Sequence, residues 1–192
     1  MKYLFIFLFL PAFAFSQQRF YVHANATGGN TGTSWADAHP DLQTALQKAK
    51  KGDTVWVAQG TYRPTPTTNR RISFELPSGV HLYGGFAGTE TQAAQRNYQK
   101  NAVTLSGDIG VPGDSTDNTL CVLYLFRPDS NTVVDGLTIR DGVANVLDPL
   151  PDFFNRLNSG AGVFVMGKDW DAYPNFLNCS FVHNTAFNSG GG

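Results

Sequence analysis

The spacing of apolar residues changes once along the chain. Within "DLQTALQKAKKGD", Leu42, Ala45, Leu46 and Ala49 fall at i, i+3, i+4 and i+7, the single stripe of an amphipathic helix. Pro40 suits its first turn and Gly52 the position after its last, while Lys48, Lys50 and Lys51 sit where the helix dipole favours cations. Beyond Asp53 the period falls to two. "DTVWVAQGTY" carries Val55 and Val57 on one face, "RISFEL" carries Ile72, Phe74 and Leu76, and "GVHLYGGF" and "AVTLSG" continue the alternation. The runs "TLCVLYLF", "TVVDGLTI", "AGVFV" and "NFLNCSF" complete the series. Gaps rich in Gly, Asn, Asp and Pro separate most of them, the punctuation of short strands.

One helix followed by many short strands fits an antiparallel sandwich or a parallel β-helix. An internal repeat favours the second. Placing "VVDGLTIRDGVA" over "NFLNCSFVHNTA" sets Val134 on Phe176, Leu137 on Cys179, Thr138 on Ser180, Ile139 on Phe181 and Ala144 on Ala186, at an offset of 42. The "NSG" markers at Asn158 and Asn188 repeat at 30. The 12-residue difference matches an insertion near "LDPLPDFFNRLN" that would loop out between strands. The expected architecture is a right-handed parallel β-helix, all-β, with an N-terminal capping α-helix. A stack of repeats exposes apolar surface at its ends, and the Leu42/Leu46 stripe would cover the first. The closing "NSGGG" repeats the opening of "NSGAGVFV" without its strand, so the repeat series is expected to be C-terminally incomplete. Phe176, Cys179 and Phe181 would then lack neighbours on one side.

Composition agrees with a turn-rich β fold. Of 192 residues, 13% are aromatic, 15% are charged and 20 are glycine, and thirteen Asp stand against two Glu; Asp favours turns. A net charge of −1 leaves no electrostatic footprint for nucleic acid. The N-terminus, "MKYLFIFLFLPAFAFSQQ", has Lys2, an apolar run of twelve from Leu4 to Phe15, and small residues Ala14 and Ser16 before Gln17. That run is too short to span a bilayer and reads as a secretory signal peptide. The expected organisation is a signal peptide at 1–16, an N-terminal segment with the capping helix at 17–53, and β-helix coils at 54–192, with no transmembrane helix in the mature chain. Cys121 and Cys179 each sit within an apolar strand pattern and are expected to be buried free thiols, although export makes a disulfide chemically possible.

The runs "YVHANATGGNTGTSWADAHPDLQTALQKAKKGDTVWVAQGTYRPT", "GVHLYGGFAGTET", "LSGDIGVPGDSTDN" and "VVDGLTIRDG" resemble the N-terminal part of secreted right-handed parallel β-helix (pectin-lyase-like) repeat proteins of Bacteroidota type. "NCSFVHNTA…NSGGG" is similar, more weakly, to repeats of chlamydial polymorphic outer membrane proteins, with Phe181 and Asn184 matching FxxN. The resemblance implies long secreted, extracellular or outer-membrane-associated proteins. It supplies no functional residues, because the family's activity is mostly undefined.

Candidate chemistry is sparse. A β-helix hydrolase needs carboxylates converging on one face, and a lyase needs a base beside a charge that stabilises the developing anion. Arg140 and Asp141 are adjacent on a strand pattern and so would face opposite ways. His23, His39, His81 and His183 are scattered, without metal spacing. Asp108, Asp114 and Asp117, in the glycine-rich "SGDIGVPGDSTDN", are the candidate calcium ligands, because calcium takes six to eight oxygens from a bent loop; an ordinary polar turn is the competing reading. In "GKDWDAYP", Trp170 and Tyr173 offer rings on which a sugar could stack. The expected function is a secreted or cell-surface scaffold, non-catalytic, for adhesion or display, with cell-surface or extracellular polysaccharide as the partner. The alternative is a carbohydrate-active enzyme, a polysaccharide lyase or a glycoside hydrolase.

Overall fold

The computed structural model describes residues 17–146, 157–167, 172–188 and 190. The expected signal peptide at 1–16, most of the insertion expected near "LDPLPDFFNRLN", and Trp170 lie outside them. The first strand, β1 (Arg19–Val22), precedes the helix α1 (Leu42–Lys48). Then come β2 (Thr54–Ala58), β3 (Gly60–Tyr62), β4 (Phe74–Leu76), β5 (His81–Phe86), β6 (Val103–Ser106) and β7 (Leu123–Phe126). The last seven are β8 (Val133–Asp135), β9 (Thr138–Arg140), β10 (Val143–Ala144), β11 (Val163–Met166), β12 (Asn175–Leu177), β13 (Ser180–Val182) and β14 (Thr185–Ala186).

Among the described residues the fold is mostly strand with one α-helix, and the sheets are parallel. They run β1-β2-β5-β8-β12, β3-β6-β9-β13 and β4-β7-β11, with the pair β10-β14. Parallel neighbours need a crossover between them; from β1 to β2 it contains α1, and beyond β2 it is made by strands of the other sheets. The alignment at an offset of 42 is the observed register: Val134 pairs with Phe176, Thr138 with Ser180, Ile139 with Phe181 and Ala144 with Ala186. The NSG markers meet too, where the Asn188 N–H donates to the Asn158 carbonyl at 3.0 Å.

Each sheet turns alternate side chains inward, and these line up in columns. Phe20, Val55, Leu82, Val134 and Phe176 form the longest column of the five-stranded sheet. Phe74, Leu123 and Val163 form one column of the three-stranded sheet, and Leu76 and Leu125 belong to a second. These columns share one core with Leu105 and Ile139. A fully buried Leu or Ile side chain contributes about 1.5–3 kcal/mol, so the columns carry most of the stability.

Several strand limits differ from the sequence reading, for one reason. The runs "TVVDGLTI" and "NFLNCSF" each divide into two strands, because Gly136 and Asn178 have φ of 77° and 50°. A residue in the left-handed region ends a strand, and Gly and Asn enter that region most readily. Asp141 and His183, also at one repeat position, have φ of 62° and 55° and make a second corner. Cys179 therefore sits at a corner between β12 and β13, half-buried, and Cys121 lies buried just before β7; neither is in a disulfide. Asp141, once out of the strand, accepts from Arg140 Nε at 2.6 Å, so the two residues pair rather than face opposite ways.

The helix is shorter than its pattern and is capped by Asp41 rather than opened by Pro40. Asp41 accepts from the Thr44 N–H at 2.7 Å, the bond that an N-cap supplies. The helix ends at Lys48, and Gly52 (φ 93°) serves the turn after it. Leu42, Ala45 and Leu46 are buried, and α1 packs against β4, β1 and β2, of which β1 and β4 are edge strands of their sheets. Asp53 fastens the start of β1 to the end of the helix, accepting at 2.8 Å from both the Gln18 and Lys50 N–H groups.

Candidate functional site

The loop of Asp108, Asp114 and Asp117 is held by its own carboxylates. Asp108 accepts from the Gly113 N–H at 2.8 Å and pairs with Arg63 at 3.4 Å. Asp114 accepts from the N–H and hydroxyl of Thr116 at 2.9 and 2.7 Å; those bonds favour its charged form and lower its pKa. Asp117 accepts from the Val111 N–H at 2.7 Å. The three share a loop, but each serves a separate turn. Among the described residues, no group of three or more His, Cys, Asp or Glu is placed to hold a metal ion.

Asn184, half of the FxxN match, has a structural job. Its Oδ1 accepts from the Gly142 N–H and its Nδ2 donates to the Ile139 carbonyl, both at 3.0 Å. A buried amide that serves a donor and an acceptor of the neighbouring repeat ties two repeats together. Tyr173 is 64% exposed.

A polar and aromatic constellation stands on the outer face of the five-stranded sheet. The register sets Arg19, Thr54 and His81 in one outward row and Tyr21, Trp56, Tyr83 and Asp135 in the next. Trp56 is closed off by Arg19, whose guanidinium lies 3.9 Å above its ring, and by Phe86, stacked at 4.4 Å. Arg96 pairs with Asp135 and also donates to the Gly84 carbonyl at 3.2 Å, while Asn178 donates to Asp135 at 2.8 Å. This ion pair therefore links three successive strands of the sheet, a structural clamp.

Beside the clamp lies a groove of about 270 Å³ bordered by Arg19, Trp56, His81 and Tyr83. The Tyr83 hydroxyl lies 3.3 Å from His81 Nδ1. Burial, and the negative charge of Asp135, raise the Tyr83 pKa, so its hydroxyl is protonated at neutral pH. The groove thus joins an imidazole, a phenol and a guanidinium. Of these, only His81 was considered from the sequence, as a scattered histidine. The signal that would have found the others is the register, which aligns Trp56 with Tyr83 across loops of unequal length.

No helix among the described residues is long and apolar enough to cross a membrane. No protein family, curated protein or solved structure matches the chain.

Proposed function

We propose that this chain belongs to a right-handed parallel β-helix that is exported and displayed at the cell surface, where it acts as a rigid, non-catalytic adhesion scaffold. The observation that carries the reading is the recurrent register. The chain visits the five-, four- and three-stranded sheets in turn, and each visit adds a parallel strand to the same sheet. Right-handed crossovers are the rule for parallel strands, and α1 covers the first edges as a solenoid cap would. Such a stack is stiff along its axis and sets outward side chains in straight rows, which suits multivalent contact with an extended polysaccharide. The resemblance of "GTSWADA…DLQTAL…GDTVWVAQGTY" to secreted β-helix proteins supports export, as does the leader. The test is to express the gene in its own host, sequence the N-terminus of the mature protein and label intact cells. A mature chain starting at Gln17 and reached by a membrane-impermeant reagent is expected. Retained Met1 in a chain shielded from the reagent would overturn the reading.

One observation favours a lyase as the second reading: the groove of His81, Tyr83 and Arg19. His81 would take the proton next to a uronate carboxylate, Arg19 would neutralise that carboxylate, and the Tyr83 hydroxyl would protonate the leaving oxygen as the C–O bond breaks. Digestion of polyuronates, followed by absorbance of the new C=C bond, tests it: a signal lost in His81→Ala is expected of a lyase, and no signal with any polyuronate removes this reading.

A further inference from the structure

The groove beside Trp56 has a border residue with no part in the lyase reading. Gln17 lines it together with Arg19, Thr54, His81 and Tyr83. Gln17 precedes Arg19 by two residues, the spacing that returns an extended chain to the same face. Gln18 is fixed on both sides of its backbone: its N–H donates to Asp53 at 2.8 Å, and its carbonyl accepts from the Thr54 N–H at 2.8 Å. The chain is therefore held against the groove up to the residue at which the leader is expected to be cut. A cut after Ser16 turns the Gln17 peptide nitrogen into an α-amino group. Such groups titrate at about 7.7–8.0, so this one carries a positive charge at neutral pH.

The new charge joins a second one. The exposed Arg19 guanidinium lies over Trp56 and donates to the Tyr21 hydroxyl at 3.3 Å. A guanidinium has five N–H donors, so most remain for a ligand, and no carboxylate among the described residues pairs with Arg19. Trp56 is 2% exposed, so it supports the guanidinium rather than offering a ring to a ligand. The Tyr83 ring lies under Arg96 at 5.2 Å, and Arg96 is held in the clamp. The neighbouring carboxylates are also occupied: Asp53 by the Gln18 and Lys50 N–H groups, Asp135 by Arg96 and Asn178. No acidic side chain among the described residues lines the groove. A neutral sugar would find no open ring to lie on, and a lipid chain no apolar wall. An anion finds two cations at one rim, and about 270 Å³ is close to the lower end of small-molecule sites. We propose that removal of the leader completes this groove as a binding site for the anionic group of an acidic glycan, a uronate carboxylate or a sulfate ester, held by the Gln17 α-amino group and Arg19. This rests on the reading of export and adhesion and names its contact surface; it involves no bond cleavage in the glycan.

An N-terminal glutamine supplies its own control. In cyclisation its α-amino nitrogen bonds to its side-chain Cδ and ammonia leaves, which removes the charge. The experiment uses the mature chain in three forms: starting at Gln17 with an open amine, cyclised by glutaminyl cyclase, and extended by Gly-Ser before Gln17. The probes are trigalacturonate, which carries carboxylates, and κ-carrageenan tetrasaccharide, which carries sulfates. Cellotriose is the neutral control and a short oligothymidylate the nucleic-acid control. By calorimetry, at least one acidic probe is expected to bind the open form with Kd on the order of 1 mM or tighter, and which one binds separates carboxylate from sulfate. Cyclisation and extension should each weaken that binding about fivefold, the scale of one close charge pair in water, and Arg19→Gln about tenfold. Gln17→Ser keeps the amine but cannot cyclise, so cyclase treatment should leave its binding unchanged. Residue 17 is exposed, so none of the Gln17 forms should change the melting temperature. Failure of both acidic probes, equal binding of cellotriose, tighter binding of the oligothymidylate, or equal affinity of the three forms would overturn the proposal. Release of an unsaturated product from trigalacturonate would overturn it in favour of the lyase. These outcomes are separable from failure of the adhesion reading. A displayed chain that binds neither acidic probe loses only the groove, whereas a chain kept inside the cell with Met1 loses the display function even if the prepared mature form binds.

Discussion

The two edges of the parallel sheets carry the same inward columns and differ in what covers them. At the helix end, Phe20 is 6% exposed and Leu42 and Leu46 are each 1% exposed. At the other end, Phe176 and Cys179 are only partly buried and Phe181 is 39% exposed. Ile139, one strand inward from Phe181 in the same column, is fully buried. Residue type therefore does not decide burial here; the presence of a neighbour on each side does. Where each layer is stabilised chiefly by the layers it touches, stability becomes a local property that differs from end to end.

The largest expected effect breaks the covered end. Leu46→Ala removes a buried side chain from under β1 and β4 and should cost about 3 kcal/mol, within the usual range for a buried Leu. Phe181→Ala, though it deletes more atoms, should cost about 1 kcal/mol, because much of that ring already meets water. Urea unfolding at constant m-value separates the two. Equal costs would mean that the difference in exposure is not a difference in stability.

The junction between β9 and the edge strand β13 gives a sharper test. Asn184→Ala strands the Gly142 N–H and the Ile139 carbonyl, two groups buried between repeats, and should cost about 2 kcal/mol. Tyr173→Ala, at a side chain 64% exposed, should cost about 0.5 kcal/mol or less. If Asn184→Ala proves as mild as Tyr173→Ala, the FxxN asparagine is not the tie between repeats.

The same contrast explains what could be read from the sequence. The step from β8–β9–β10 to β12–β13–β14 keeps a constant length, so Val134, Thr138, Ile139 and Ala144 announce their partners directly. The earlier steps do not: His81 pairs with Thr54 on one side and Val133 on the other, across loops of very different length, and no fixed offset reveals them. The core was legible because alternation marks Val55, Leu82 and Leu105 whatever the loop length. The corners at Asn178 and His183 were hidden by continuous apolar runs. The outer groove was hidden more deeply: Trp56 and Tyr83 become neighbours only when the register is known. In the loop of Asp108, Asp114 and Asp117 the sequence leaves two readings open, because carboxylates that cap turns and carboxylates that bind cations occur in the same glycine-rich company.

The smallest expected effect is a pH dependence confined to the helix end. His39 is 1% exposed, stacks on Phe20 at 6.4 Å and lies 3.3 Å from Lys48 Nζ. It also ties the preceding loop to β1: its N–H donates to the Tyr21 carbonyl and its carbonyl accepts from the His23 N–H. Burial disfavours the imidazolium, Lys48 disfavours it further, and Asp41 and the backbone at Asn30 offset only part of this, so its pKa is lowered. The unfolded chain then binds a proton that the folded chain refuses. The resulting stability is fully present above the unfolded value of about 6.5 and is lost as pH falls below it. Hydrogen exchange at pH 7.5 and 5.5, corrected for intrinsic rates, should show β1 and α1 loosening while β12 and β13 hold their protection. Across that interval the carboxylates of Asp114 and Asp129, whose pKa values are lowered, stay charged and contribute no slope. His39→Gln keeps a polar side chain without the titration and should remove the difference between the two pH values at the helix end. Equal loosening at both ends, or an undiminished response in His39→Gln, would place the titrating group elsewhere and leave the two ends distinguished by packing alone.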